Sequence, residues 1–227
     1  MDDRIKLIQN KHDYARSLNI GINNARGRYI ARMDADDIMH VDRLKVQYAV
    51  MQEYEEVTVC GSRVNVFGTD SKHLNLSATV GGLIEDPILE LLKSNFLFHS
   101  TVMLRADFLR KHSLQYENYL YAEDYKFWTE IAKLGGRFYV ENQPLLYHRA
   151  SYEQTSDRYG DERKKMTEVI TTEIIAYLIG KNNREYPELS VMYDTLCRLQ
   201  EKQLFTRHEI IAFVRNFFSK NKEKLNQ

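Results

Sequence analysis

The chain has 227 residues, 43% of them hydrophobic, which suits one large domain or one domain with an appendage around a sizeable core. Lys and Arg number 32 against 32 Asp and Glu, so no net field recruits nucleic acid and that partner class is excluded. The two cysteines, Cys60 and Cys197, stand far apart in strand-like and helix-like contexts, which argues for reduced thiols rather than a disulfide framework. The start, Met-Asp-Asp-Arg, carries no signal-peptide pattern, and no apolar run approaches the roughly 20 residues that span a membrane. A cytoplasmic location is the expectation.

Ile5-Lys6-Leu7-Ile8 reads as a short strand. Tyr14, Ala15, Leu18, Ile22 and Ala25 recur at helical spacing and predict a helix over 13–26, closed by Gly27 as a left-handed cap. Residues 29–33 then read as a buried strand, which makes a strand-helix-strand unit with a right-handed crossover. That strand delivers Asp34, Asp36 and Asp37 to the sheet end where open α/β folds bind ligands. On an extended chain Asp34 and Asp36 point to one side and Asp37 to the other. Two converging carboxylates repel unless a cation lies between them, and oxygen ligands suit Mg²⁺ or Mn²⁺, so the cluster has the chemistry of a diphosphate held through a metal. An EF-hand is excluded, because Met39 and Lys45 stand where its glycine and glutamate belong. The spacing alone fits a solvated turn before a helix cap equally well.

After the acids, Asp42 caps a helix to 53 with Leu44, Tyr48 and Met51 on its core side. A strand at 57–66, a glycine-bearing loop at 67–83, a helix at 87–94 opened by Asp86-Pro87, a strand at 99–104 and a short helix at 105–112 follow. His99, alone at a strand start, reads as structural. Glu123 and Asp124 open a helix marked by Phe127, Trp128, Ile131, Ala132 and Leu134 and ended by Gly135-Gly136. Its positive N-terminal end is expected to keep Asp124 ionised, although acids in a first turn are also plain stabilising features. Strands at 137–140 and 145–148 flank a turn at 141–144. Beyond Gly160 come three amphipathic helices, the third opened by the capping box Thr206-Arg207-His208-Glu209. This tail is expected to pack on the preceding domain or on another subunit. Arg215, Lys220, Lys222 and Lys224 beside Phe217 and Phe218 also suit an anionic membrane surface.

Asn19-Ile20-Gly21-Ile22, Ala25-Arg26-Gly27-Arg28-Tyr29-Ile30, Asp34-Ala35-Asp36-Asp37 and Asp42-Arg43-Leu44, in that order, resemble the inverting family 2 glycosyltransferases of the GT-A fold. The resemblance implies an α/β domain over 1–157, a Rossmann-like mixed sheet flanked by helices, with a helical C-terminal appendage over 158–227. It implies a nucleotide-diphosphate sugar as donor and a saccharide or lipid-linked acceptor, as in cell-surface polysaccharide or glycan synthesis. Asp36 would hold Mg²⁺ or Mn²⁺, while Asp34 would share the metal or orient the ribose. Arg16 and Asn19 would reach toward the donor, with a solvated polar face as the plainer reading. Glu123-Asp124 resembles the signature that supplies the family's catalytic base, which falls on Asp124. Residues 147–156 resemble the loop that closes over the diphosphate, where His148 or Arg149 would contact phosphate or metal.

One departure stands beside these matches. Members of the family begin with a strand-helix-strand unit that supplies much of the nucleotide's base pocket, and here Asp2, Arg4, Ile5 and Leu7 correspond to the region after it. An N-terminally incomplete domain is therefore expected, with an open sheet edge, dimerisation through that edge and donor affinity weak or lost, while the basic last helix is what suits peripheral contact with the inner membrane face. The rival reading is an inert fold that serves as a binding module. A metal-dependent phosphatase would need a general acid and a lysine in a matching frame, and none is identifiable.

Overall fold

A computed structural model describes residues 2–11, 13–68, 80–150 and 160–226. Six strands form one mixed sheet: β1 (Tyr29–Ala31), β2 (Ile38–Met39), β3 (Val57–Gly68), β4 (Gly82–Ile84), β5 (Met103–Arg105) and β6 (Arg137–Ala150). Their order is β1-β5-β3-β6-β2, with β4 added on β6. The spine is the long parallel pair β3–β6, running from Val57 opposite Arg137 to Gly68 opposite Ala150. Val57 to Cys60 are all buried, as a central parallel strand requires.

The turn expected at 141–144 does not break this spine. Residues 137–150 form one strand whose register slips where Arg63 meets Pro144. Proline cannot donate to the ladder, and the irregularity places it where no donor is needed.

The N-terminal expectations are corrected. Residues 5–8 form no strand, and Leu7 is 93% exposed, so the described residues contain no crossover unit before β1. Among the described residues β1 pairs with β5 alone, antiparallel. Helix α1 (Tyr14–Asn24) is capped by Asp13, whose side chain accepts from the Arg16 amide. It ends in extended backbone at Ala25, and Gly27 adopts no left-handed conformation.

Helix α2 (Arg43–Glu53) has the expected bounds but turns a different face inward. Arg43, Gln47, Val50 and Met51 are buried, whereas Leu44 and Tyr48 are exposed. The cause is polar. Gln47 Nε2 donates to the carbonyls of Cys60 and Thr101 at 2.7 and 2.8 Å, and Arg43 Nη2 donates to those of Arg32 and Val102 at 2.7 and 3.3 Å. Buried carbonyls next to short, irregular strands need these donors more than they need further apolar contact.

Helices α3 (Pro87–Lys93), α4 (Ala106–Lys111) and α5 (Glu123–Lys133) cover one side, followed by α6 (Gly160–Asn182), α7 (Glu188–Glu201) and α8 (Arg207–Lys220). A 3-10 turn at His99–Thr101 replaces the start of the strand expected at 99–104. Gly135, at φ 81°, ends α5 as its punctuation suggests. The tail shares one core with the domain: Ile174, Leu178, Val214 and Phe218 are fully buried in the same cluster as Leu91, Leu92 and Trp128. Arg215 of α8 pairs with Glu90 of α3 at 2.5 Å. The tail thus packs on its own chain, with Ile210, Val214 and Phe218 of α8 buried and Phe213 exposed. No helix among the described residues is long and apolar enough to cross a membrane.

Candidate active site

The chain leaves β1 and turns instead of staying extended. The Asp37 amide donates to the Asp34 carbonyl at 3.4 Å, so residues 34–37 form a tight turn. The alternation expected for an extended run is lost as a result: Asp36 faces solvent and Asp37 is buried. Asp34 is gripped from two directions. Arg32 Nη1 and Nη2 donate to its two oxygens at 2.8 and 2.5 Å, and the Ser100 hydroxyl donates to Oδ2 at 2.6 Å. Arg32 Nη2 also donates to the Tyr14 hydroxyl of α1, and Nη1 to Ser100 at 3.1 Å.

Asp37 pairs instead with the end of β6. Its Oδ1 lies 3.0 Å from His148 Nδ1 and accepts from the Arg149 amide at 3.0 Å, while Oδ2 is buried with no hydrogen-bond partner. Burial raises the Asp37 pKa. The bonds from His148 and from the Arg149 amide outweigh that and hold it below the usual carboxylate range. The bond to Asp37 in turn raises the pKa of His148. Arg149 Nε donates to the Asp36 carbonyl at 2.9 Å. The closing segment expected at 147–156 is described only to Ala150.

The second acidic pair opens α5. Asp124 Oδ2 accepts from Asn95 Nδ2 at 2.9 Å, and Oδ1 from the Tyr125 amide at 2.7 Å. Burial pushes the pKa of Asp124 up, and Asn95, the Tyr125 amide and Arg32 offset this only in part. Glu123 is raised for the same first reason. Burial, an influence the sequence pattern does not carry, thus acts on both acids against the helix N-terminus. Tyr121, just before the pair, holds the left-handed region at φ 63°.

An aromatic wall joins the two segments. The Tyr14 ring meets His99 edge-on at 6.5 Å, and His99 meets Trp128 of α5 at 5.8 Å. His99 Nε2 lies 2.8 Å from the Tyr116 hydroxyl, and burial drives its pKa far below the ordinary value, so it is a neutral, structural ring. The Tyr14 phenol pKa is raised first by burial and then by the fields of Asp34, Glu123 and Asp124, against that of Arg32. Acids about ninety positions apart in the chain thus border one region around Tyr14 and Arg32.

The remaining candidates are placed as follows. Asn19 uses both ends of its amide on the backbone of Tyr116, donating at 2.8 Å and accepting at 2.7 Å. Arg16 is exposed and lines a shallow groove of about 370 Å³ with Asn23, Gln115 and Asn118. Among the described residues no three His, Cys, Asp or Glu side chains are grouped to hold a metal ion. With both Asp34 oxygens engaged and Asp36 exposed, the set fits a Mg²⁺ or Mn²⁺ that takes one protein carboxylate and fills its shell from water and a diphosphate. It does not fit an all-protein cage. Arg32, Ser100 and Asn95 escaped sequence reasoning, and only Arg32, two positions before Asp34, left a local signal.

Residues 1–112 match the model of glycosyl transferase family 2. The chain belongs to that family. It is 32% identical over 193 residues to an uncharacterized glycosyltransferase of Haemophilus influenzae, covering 80% of this chain and 59% of that protein. To the amylovoran biosynthesis glycosyltransferase AmsE of Erwinia amylovora it is 30% identical over 148 residues, covering 64% of this chain and 53% of AmsE. The family 2 chain thus spans little more than half the length of these relatives. Among solved structures it is similar to S. aureus TarS 1-349 in complex with UDP-GlcNAc, with a TM-score of 0.57, 16% identity, and coverage of 80% of this chain and 55% of that one. That likeness establishes the GT-A glycosyltransferase fold.

Proposed function

We propose that this chain transfers a sugar from a nucleotide-diphosphate donor to an acceptor hydroxyl, inverting the anomeric centre. What supports this, in a chain of this family, is that Tyr14 touches both Arg32, which holds Asp34, and His99, which packs on Trp128 of the helix that Glu123 and Asp124 open. Asp124 is the proposed base. A sugar hydroxyl is a poor nucleophile, and a carboxylate whose pKa is raised by burial is a stronger proton acceptor once ionised. As the acceptor oxygen attacks, its proton passes to Asp124, the new glycosidic bond forms, and the bond to the diphosphate breaks with its electron pair on the departing nucleotide. Attack opposite the leaving group inverts the configuration without an enzyme nucleophile.

Asp34 would orient the ribose, and Asp36 would hold Mg²⁺ or Mn²⁺, which when bound neutralises charge on the diphosphate. His148, kept protonated more readily by Asp37, would contact the diphosphate. The naming of AmsE for amylovoran biosynthesis and the UDP-GlcNAc bound by TarS support a saccharide acceptor and a nucleotide-sugar donor. Titration calorimetry with uridine diphosphate tests the proposal. Binding heat that requires Mn²⁺ and disappears in Asp36→Ala is expected, and no heat at millimolar ligand ends it.

A further inference from the structure

Arg32 holds Asp34 directly, and neither the family match nor the acid motifs assign it a task. Its guanidinium is 10% exposed, while the carboxylate of Asp34 that it grips is 39% exposed. A buried cation therefore holds an outward-facing anion. The ion pair is two positions apart in sequence, and the links to distant elements, Tyr14 of α1 and Ser100 of the 3-10 turn, are made by separate bonds, so the grip of Arg32 on Asp34 adds little to architecture. Arg32 itself is fixed on every side. Its amide donates to the Val102 carbonyl at 3.0 Å, its carbonyl accepts from Arg43 at 2.7 Å, and its guanidinium reaches Tyr14 and Ser100.

We infer that Arg32 is a positioning residue for the donor, fixing Asp34 through a two-pronged ion pair and keeping that carboxylate out of the metal's coordination shell. This rests on the proposed donor reading. The planar fork of a guanidinium satisfies both carboxylate oxygens at once and sets the plane of the group, which a lysine ammonium cannot do. A carboxylate so held presents its outer lone pairs in one orientation to a neutral hydroxyl donor. A divalent ion chelated by both Asp34 oxygens would have to displace the buried guanidinium, so chelation falls to the exposed Asp36. The Ser100 hydroxyl adds a third bond to Asp34, on the oxygen that Arg32 Nη1 also reaches.

A double-mutant cycle on the full 227-residue chain tests this, reading uridine diphosphate affinity by calorimetry in Mn²⁺ with thermal unfolding recorded in parallel. Arg32→Met and Asp34→Asn should each weaken binding about tenfold, within the coupling range of residues in direct contact. The double variant should be no weaker than Asp34→Asn alone. Arg32→Lys should recover less than half of the loss although the charge is kept. Asp34→Asn should leave the Mn²⁺ concentration needed for half-maximal binding unchanged. Additive losses, full recovery by lysine, or a raised Mn²⁺ requirement in Asp34→Asn would each overturn the inference while the donor reading stands. Absence of binding by the unaltered protein overturns both. If Arg32→Met fails to fold, the same cycle is run with Arg32→Lys and is judged by the same additivity criterion.

Discussion

The two acidic segments are built by opposite means. At 34–37 each held acid has a basic side chain beside neutral donors: Asp34 has Arg32 with Ser100, and buried Asp37 has His148 with the Arg149 amide, so Asp37 titrates below the usual range despite its burial. At the start of α5 the partners of Asp124 are neutral amides, Tyr125, Phe127 and Trp128 close off water, and burial carries both acids upward. One fold therefore moves the pKa of Asp37 down and those of Glu123 and Asp124 up. Carboxylates pushed apart in this way are suited to separate roles.

The sharpest way to break this division is at Asp124. Asp124→Asn preserves the bonds from Asn95 and Tyr125 in outline but removes the basic oxygen. Sugar transfer should fall by about 10²- to 10⁴-fold while uridine diphosphate binding persists, as read by product formation beside calorimetry. Equal loss of both would place Asp124 on the donor side instead.

Trp128→Ala attacks the same segment through its surroundings. The indole is fully buried, its Nε1 has no hydrogen-bond partner, and its removal should cost about 3–5 kcal/mol in denaturant unfolding. By admitting water near α5 it should also move the acid limb of the rate profile to lower pH, because burial is the main cause of the raised Asp124 pKa. A smaller change belongs to the other segment. Gln47→Leu leaves the carbonyls of Cys60 and Thr101 without their donor, at about 1–3 kcal/mol, with no shift of that limb.

The finest test is the pH dependence of the Asp37–His148 pair. His148 has a raised pKa in the fold, so its contribution to stability is full below about pH 6.5 and is lost as pH rises through the raised value. Asp37 has a lowered one, so its contribution holds above about pH 3.9 and is lost as pH falls through the lowered value. Unfolding midpoints of the wild type should therefore decline on the alkaline side, and His148→Gln should remove that decline. An unchanged slope would mean that His148 is not the titrating partner.

Much of this was legible beforehand because it depends on local pattern. The bounds of α2 and α5, the Gly135 stop and the capping box at Thr206, where hydroxyl and Glu209 satisfy each other's backbone, follow from neighbours within one helical turn. Expectations failed where a distant group decided the outcome. Apolar spacing put Leu44 and Tyr48 inside α2, but carbonyls of β3 and the 3-10 turn claimed Arg43 and Gln47 instead. Alternation placed Asp34 with Asp36, but a turn closed against Ser100 separated them.

The order of residues by itself determined the kinds of chemistry available: an acid cluster after a short apolar run, a second acid pair opening a helix, and a family likeness carried by contiguous motifs. Only the tertiary structure decided which acid is held by which cation, and which is raised by burial. Identity and spacing are written along the chain, whereas desolvation and ion pairing depend on what surrounds a group in space. For Asp34, Asp37 and Asp124 those surroundings come from Ser100, His148 and Asn95, residues far away in sequence.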